Sequence, residues 1–249
     1  MHIETYGDGP ETVLAIHGWG GDHREFAAVA SRRPAGARLL SVDLPGYGRS
    51  PRPPAWDLGL IFAEFRAAVR AAAGDAPVTL AAFCSGAVLA LLFAQAEPAR
   101  IRRMVLIDPF AFVPWYFRLF LAGPFGRRAY MTAFASERGR RITTAVLRRM
   151  QSDDADFTAA FERIDHEVTL AYLGLFNRFG DLRRFAGFRF PIDVAVGERT
   201  LGAVRRSVRV FRRLWPQARV TTLRHVGHLP MVKGAAQLRR LVFGGAESG

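Results

Sequence analysis

The sequence predicts an α/β domain: a mostly parallel central sheet flanked by helices, with a helical segment inserted between two late strands. Three observations carry this expectation. Short continuous apolar runs alternate with stretches of helical spacing, the rhythm of strands buried on both faces of a parallel sheet. That rhythm stops after Asp108 and returns at Ile192, and residues 110–189 contain no convincing strand. Hydrophobic residues make up 50% of the 249 positions, enough for a sizeable core in one unit.

Taken in order, residues 13–16 form an apolar run that ends in His17-Gly18-Trp19-Gly20-Gly21, a strand followed by a turn. Residues 38–42 repeat the pattern and close on Asp43-Leu44-Pro45-Gly46-Tyr47-Gly48-Arg49-Ser50, where proline and two glycines force a loop. Residues 57–73 have helical spacing that places Leu60, Ile61, Phe65 and Val69 on one side. Residues 78–83 read as a strand, 85–96 as a buried helix, and 101–107 as the next strand, which ends at Asp108-Pro109. Strands resume at 192–196 and 219–223, with helices near 204–214 and 235–242. The expected division is a core of residues 1–109 and 190–249, and a helical cap, or lid, of residues 110–189.

Composition narrows the function. No apolar run reaches the roughly 18–20 uncharged residues of a membrane-spanning helix. The first ten residues carry Glu4 and Asp8 and lack the apolar stretch of a secretion signal. One cysteine cannot form an internal disulfide, and no Cys/His cluster suggests a metal, so we expect no cofactor and a cytoplasmic, reducing location. A net charge of +13 would suit nucleic acid or acidic lipid. Lys233 is the only lysine, however, and the dispersed arginines fit a codon-composition bias better than a basic binding block. The expected partner is a small-molecule acyl substrate, free or carrier-bound. Nucleic acid is not expected, and peripheral contact with anionic lipid is the less favoured option.

The chemistry centres on Ala82-Phe83-Cys84-Ser85-Gly86-Ala87, where a strand passes into a helix with almost no loop. The residue on such a turn is strained, and its neighbours two before and two after must be small. Ala82 and Gly86 satisfy this around Cys84, whereas Phe83 excludes Ser85 from the tip. A thiol at a helix N-terminus is favoured as the thiolate nucleophile. The backbone N–H groups of Ser85 and Trp19 are the expected oxyanion donors. His17 and Gly18 lie on the same glycine loop and are expected to border the substrate. After the last strand, His225-Val226-Gly227-His228-Leu229-Pro230 offers His228 as the base at a loop tip, with His225 more suited to a structural role. Phe110, Phe112 and Trp115 open an aromatic run just after Asp108 and are expected to line an apolar acyl pocket.

In this order, His17-Gly18-Trp19-Gly20, the Asp43–Ser50 loop, the elbow at Cys84, Leu214-Trp215-Pro216 and Gly227-His228 resemble the α/β-hydrolase superfamily. Within it, they are similar to carboxylesterases of the pimeloyl-carrier-protein methyl esterase type. The resemblance covers residues 1–109 and 190–242, and implies the α/β-hydrolase fold and acyl-transfer chemistry. Two positions depart from it. Members usually carry serine at the elbow, although cysteine elbows occur in dienelactone hydrolases, polyhydroxyalkanoate synthases and some thioesterase domains. Members also usually place an acid after the penultimate strand in a Gly-x-x-Asp pattern, where this chain reads Gly197-Glu198-Arg199-Thr200.

The third catalytic residue therefore stays open among Asp108, Glu198 and none. Asp108, at the end of the strand after the elbow helix, is favoured, because assembly-line thioesterase domains resemble that placement. A Cys–His pair depends less on a third partner than a Ser–His pair does. The sequence points to an ester or thioester hydrolase using a cysteinyl-acyl intermediate. The alternatives are an acyltransferase or cyclase on that intermediate, and a catalytically silent binding protein.

Overall fold

The computed structural model describes residues 1–150, 161–162 and 164–244, with the backbone alone for 147–150. Part of the expected cap (151–160 and 163) and the end of the expected core (245–249) lie outside the described residues.

Seven strands form one sheet: β1 (Ile3–Tyr6), β2 (Glu11–Ile16), β3 (Ala37–Val42), β4 (Val78–Phe83), β5 (Ile101–Ile107), β6 (Ile192–Gly197) and β7 (Arg219–Leu223). Their order is β1-β3-β2-β4-β5-β6-β7. Every neighbouring pair is parallel except β1 with β3. Sequence reading missed β1 for a physical reason. It is a four-residue, half-buried edge strand, Ile-Glu-Thr-Tyr, with no continuous apolar run. β4, at the centre, is buried along its whole length, as its uninterrupted apolar sequence requires.

Helix α1 (Leu58–Ala73) starts at Asp57, whose Oδ1 accepts the Leu60 N–H at 2.9 Å. It buries Ile61, Phe65, Val69 and Ala73, an i, i+4 row. Leu60, expected on that face, is 52% exposed, because it lies about 100° around the helix from Ile61. Helix α2 (Ala87–Ala96) is buried nearly all round, under a core that includes Leu14, Leu80 and Leu106. The opposite face of the sheet packs against Phe26, Val29, Leu238 and Val242.

Between β5 and β6 the described residues contain helices and no strand: chiefly α3 (Gly123–Tyr130), α4 (Glu137–Met150) and α5 (His166–Asn177). They carry their own aromatic cluster of Tyr130, Phe134 and Phe161. After β6 come α6 (Gly202–Leu214) and α7 (Ala235–Phe243). No described helix is long and apolar enough to cross a membrane. The carboxyl ends of β2, β4, β5, β6 and β7 lie along one edge of the sheet, where ligands bind in open α/β sheets.

Candidate active site

At the end of β4 the chain turns at Cys84, whose φ of +51° is in the left-handed region that L-residues seldom adopt. A short 3₁₀ turn, Cys84–Gly86, leads into α2. The turn fits only because residue 86 has no side chain. A Cβ there would sit 2.5 Å from the His17 carbonyl oxygen and 2.7 Å from that of Ile16. The glycine loop comes equally close from the other side, since a Cβ on Gly18 would lie 3.0 Å from the Cβ of Cys84. The thiol is buried and lies where two cavities of about 380 Å³ each meet.

Asp108, at the end of β5, is fully buried and also has a positive φ, +44°. Its N–H is held by the Ala195 carbonyl of β6 at 2.8 Å. Its Oδ1 accepts the Gly197 N–H at 2.8 Å. Its Oδ2 accepts the Thr200 hydroxyl at 2.6 Å and lies 3.0 Å from Nδ1 of His228. Both carboxylate oxygens are therefore directed, and one is turned onto the imidazole. Cys84, Asp108 and His228 come together from the ends of β4, β5 and the loop after β7.

The His228 ring is buried, 5.5 Å from the rings of both Phe83 and Phe110. Burial alone disfavours its cationic form. The hydrogen bond with Asp108 and the adjacent Cys84 outweigh that cost and push its pKa up to about 10. A proton placed on Nδ1 faces Asp108, and Cys84 and His228 both line the second cavity.

The other expected site residues divide. Trp19 and Ser85 flank Cys84 in the first cavity, together with Phe110 and Phe112. Trp19 is also tied across to α5, its Nε1 donating to the Thr169 carbonyl at 2.6 Å. Gly18 contributes through close approach rather than as a cavity wall. Two expectations are corrected. His17 does not border the cavities: it is fully buried, its Nδ1 bonded to the Gly18 carbonyl and its Nε2 accepting the Leu44 N–H. Burial holds its pKa below the ordinary value, and its role is to lock two loops together. Trp115 is 64% exposed and lines neither cavity; Tyr116 and Phe117, the next residues along, turn inward instead. Along a short helix, an aromatic run does not reveal which of its rings face in.

Glu198 accepts the His225 N–H at 2.7 Å, away from His228, and the His225 side chain is largely in solvent. Asp43 braces the early loops by accepting N–H bonds from His23 and Arg49. Asp22, His23 and Asp43 are close enough to suggest a metal site, but those same N–H donors already occupy the Asp43 oxygens. Sequence reading missed Glu25, which lines the second cavity and accepts the Gly18 N–H at 2.8 Å. It sits in a short 3₁₀ turn, His23–Phe26, and has no motif to mark it.

Residues 11–235 match the model of the alpha/beta hydrolase fold family. The chain is 33% identical over 110 residues to the lipase LipV of Mycobacterium tuberculosis, a match covering 44% of this chain and 41% of that protein. It is also 33% identical over 104 residues to the pimeloyl-[acyl-carrier protein] methyl ester esterase of Neisseria meningitidis serogroup C, covering 42% and 39% respectively. These matches thus span about two fifths of the curated relatives. Among solved structures, an esterase from Thermogutta terrifontis superposes with a TM-score of 0.75 at 18% identity, over 97% of this chain and 90% of that one. The thioesterase domain of the curacin biosynthetic pathway superposes at 0.67 and 18%, over 96% and 94%. With the sheet order, the elbow and a family match over most of its length, this chain belongs to the alpha/beta hydrolase fold family.

Proposed function

We propose that this chain is an acyl ester or thioester hydrolase that works through a covalent cysteinyl-acyl intermediate. The observation that carries the proposal is the directed contact between Asp108 Oδ2 and His228 Nδ1 at 3.0 Å, with Cys84 at the elbow beside the same ring. The histidine is held and charge-stabilised as a general acid–base must be.

In the proposed cycle, His228 takes the Cys84 thiol proton and Sγ attacks the acyl carbon. The N–H groups of Trp19 and Ser85 stabilise the oxyanion. The bond to the leaving alcohol or thiol breaks, and His228 supplies its proton. Water then gives a proton to His228 and attacks the thioester carbon, releasing the acid and restoring the thiol. The first cavity, walled by Phe112, Val113, Leu173 and Phe176, suits an apolar acyl chain. The described helices between β5 and β6 act as the cap over it. The similarity to esterases of carrier-bound pimeloyl esters supports small acyl esters, free or carrier-bound, as the substrate class.

Transfer to an alcohol or amine would use the same intermediate, with that acceptor in place of water. The intact Asp108–His228 contact argues against a silent binding protein. The test is to mix the full chain with short p-nitrophenyl esters and acyl thioesters and record its intact mass. An acyl adduct on the wild type, absent from Cys84→Ala, is expected. Turnover that survives Cys84→Ala would reject the cysteine as the nucleophile.

A further inference from the structure

The two cavities that meet at Cys84 differ in chemistry. They share Trp19, Cys84, Phe110 and Phe117, but Ser85 lines only the first and His228 only the second. A proton donor must face the group that leaves. If Cys84 carries the acyl group, the acyl chain therefore belongs in the first cavity and the leaving group or acceptor in the second.

The second cavity is walled by aromatic rings, Trp19, Phe83, Phe117, Phe134 and Phe161 among them, and two carboxylates, Glu25 and Asp22, line it. Glu25 Oε2 accepts the Gly18 N–H, leaving Oε1 without a hydrogen bond among the described residues. Gly21 makes room for it, since a Cβ there would stand 2.6 Å from Oε2. The other charges around this cavity are already paired. Asp22 is bound by the Arg24 guanidinium, which is itself largely in solvent, and His228 is bound by Asp108. Aromatic faces around an uncommitted carboxylate make a site for an organic cation, which gains from the ring quadrupoles and from the opposite charge.

We infer that the second cavity is the leaving-group or acceptor pocket, and that Glu25 and the surrounding rings select an alcohol, thiol or amine carrying an alkylammonium group. The assignment of this pocket to the leaving group rests on the proposed cysteinyl mechanism. The preference for a cation does not. Burial, opposed chiefly by the Gly18 N–H bond, pushes the Glu25 pKa up to about 7, so this carboxylate gains its charge across the neutral range.

Cys84 is the only cysteine, so it can be labelled selectively by methanethiosulfonates. Its sulfur attacks the sulfenyl sulfur, a mixed disulfide forms, and methanesulfinate leaves. The measurement is the rate of labelling of the full chain by the trimethylammonioethyl reagent, divided by the rate for the methyl reagent. This ratio is then normalised to the same ratio on glutathione. The expected ratio is about tenfold in favour of the cation, rising between pH 6 and pH 8 as Glu25 ionises. It should fall toward one in Glu25→Gln, whose amide oxygen can still accept the Gly18 N–H. The pH series uses the wild type and needs no variant to fold. In parallel, 2-(dimethylamino)ethyl butyrate and 3-methylbutyl butyrate are compared as substrates. A cation preference in kcat/KM that shrinks in Glu25→Gln supports both the pocket and its role. If neither ester is turned over but the labelling ratio behaves as expected, the acyl-transfer mechanism fails and the cation pocket stands. A labelling ratio near one, unmoved by pH and by Glu25→Gln, overturns the inference and leaves Glu25 as a brace for the Gly18 loop.

Discussion

The ends of β5 and β6 lie side by side but carry different chemistry. β5 ends in Asp108, a buried carboxylate bonded to His228. β6 ends in Gly197 and leads to Thr200, where related sequences usually carry the acid. Thr200 does not replace that acid: its hydroxyl donates to Asp108 at 2.6 Å, and Gly197 donates its N–H to the same carboxylate at 2.8 Å. The two strand ends converge on one imidazole nitrogen, so a carboxylate can reach it from either. The β6 end keeps a supporting role as hydrogen-bond donor. A carboxylate at either strand end would thus lie near the histidine, and the other position would then have to satisfy the buried charge.

The largest effect should come from Cys84→Ala, which removes the proposed nucleophile and should lower kcat/KM by about 10⁴-fold or more. Steady-state kinetics on the best ester from the adduct screen would measure it. Next is Asp108→Asn, expected to cost about 10²- to 10⁴-fold in kcat by leaving the imidazolium unsupported. If the two strand ends are interchangeable, Thr200→Asp combined with Asp108→Ala should recover part of that loss. An Asp108→Asn enzyme with full activity would end the argument.

The pH dependence of stability comes next. The folded pKa of His228 is raised to about 10, above its unfolded value near 6.5. Its contribution is thus fully present below about pH 6.5 and is lost as pH rises through about 10. Denaturant melts between pH 6 and 10 should show the wild type losing stability relative to His228→Gln as pH rises, by a few kcal/mol at most. Parallel curves would mean that Asp108 does not hold the proton on that ring. Thr200→Val should be milder, because Asp108 keeps its bonds to Gly197 and His228. Losing one donor to a buried carboxylate should cost about 1.5–3 kcal/mol of stability and leave activity within about tenfold of wild type. The smallest effect belongs to the walls. Phe112→Ala, at a half-exposed ring, should leave stability within about 0.5 kcal/mol but shift the preferred acyl chain length in a p-nitrophenyl ester series.

The residues whose roles were legible beforehand are those that carry a local constraint. Cys84 could be placed on the elbow because the small residues at 82 and 86 surround it in the chain itself. The strands β2 to β6 could be read because each buries a mostly apolar run, whereas β1, a half-buried edge, left no such trace, and β7, exposed along most of its length, is legible only from the returning strand–helix rhythm. Leu60 is exposed where the spacing predicts burial, and Trp115 where a pocket wall is expected, since composition shows that a segment is apolar but only packing shows which face is covered. His17 looked like a site residue because it opens the glycine loop, yet its two ring nitrogens are spent on backbone groups.

Sequence alone thus established the order of the strands from β2 onward with the helices between them, and the position of the sulfur, because both follow from signals between near neighbours in the chain. Tertiary structure decided which carboxylate serves His228, 120 residues from Asp108, and gathered Glu25 and distant aromatic rings around a second cavity. The physical reason is that hydrogen-bond partners and cavity walls are set by the register of β5 against β6 and by how the helices pack. Neither depends on any one stretch of sequence.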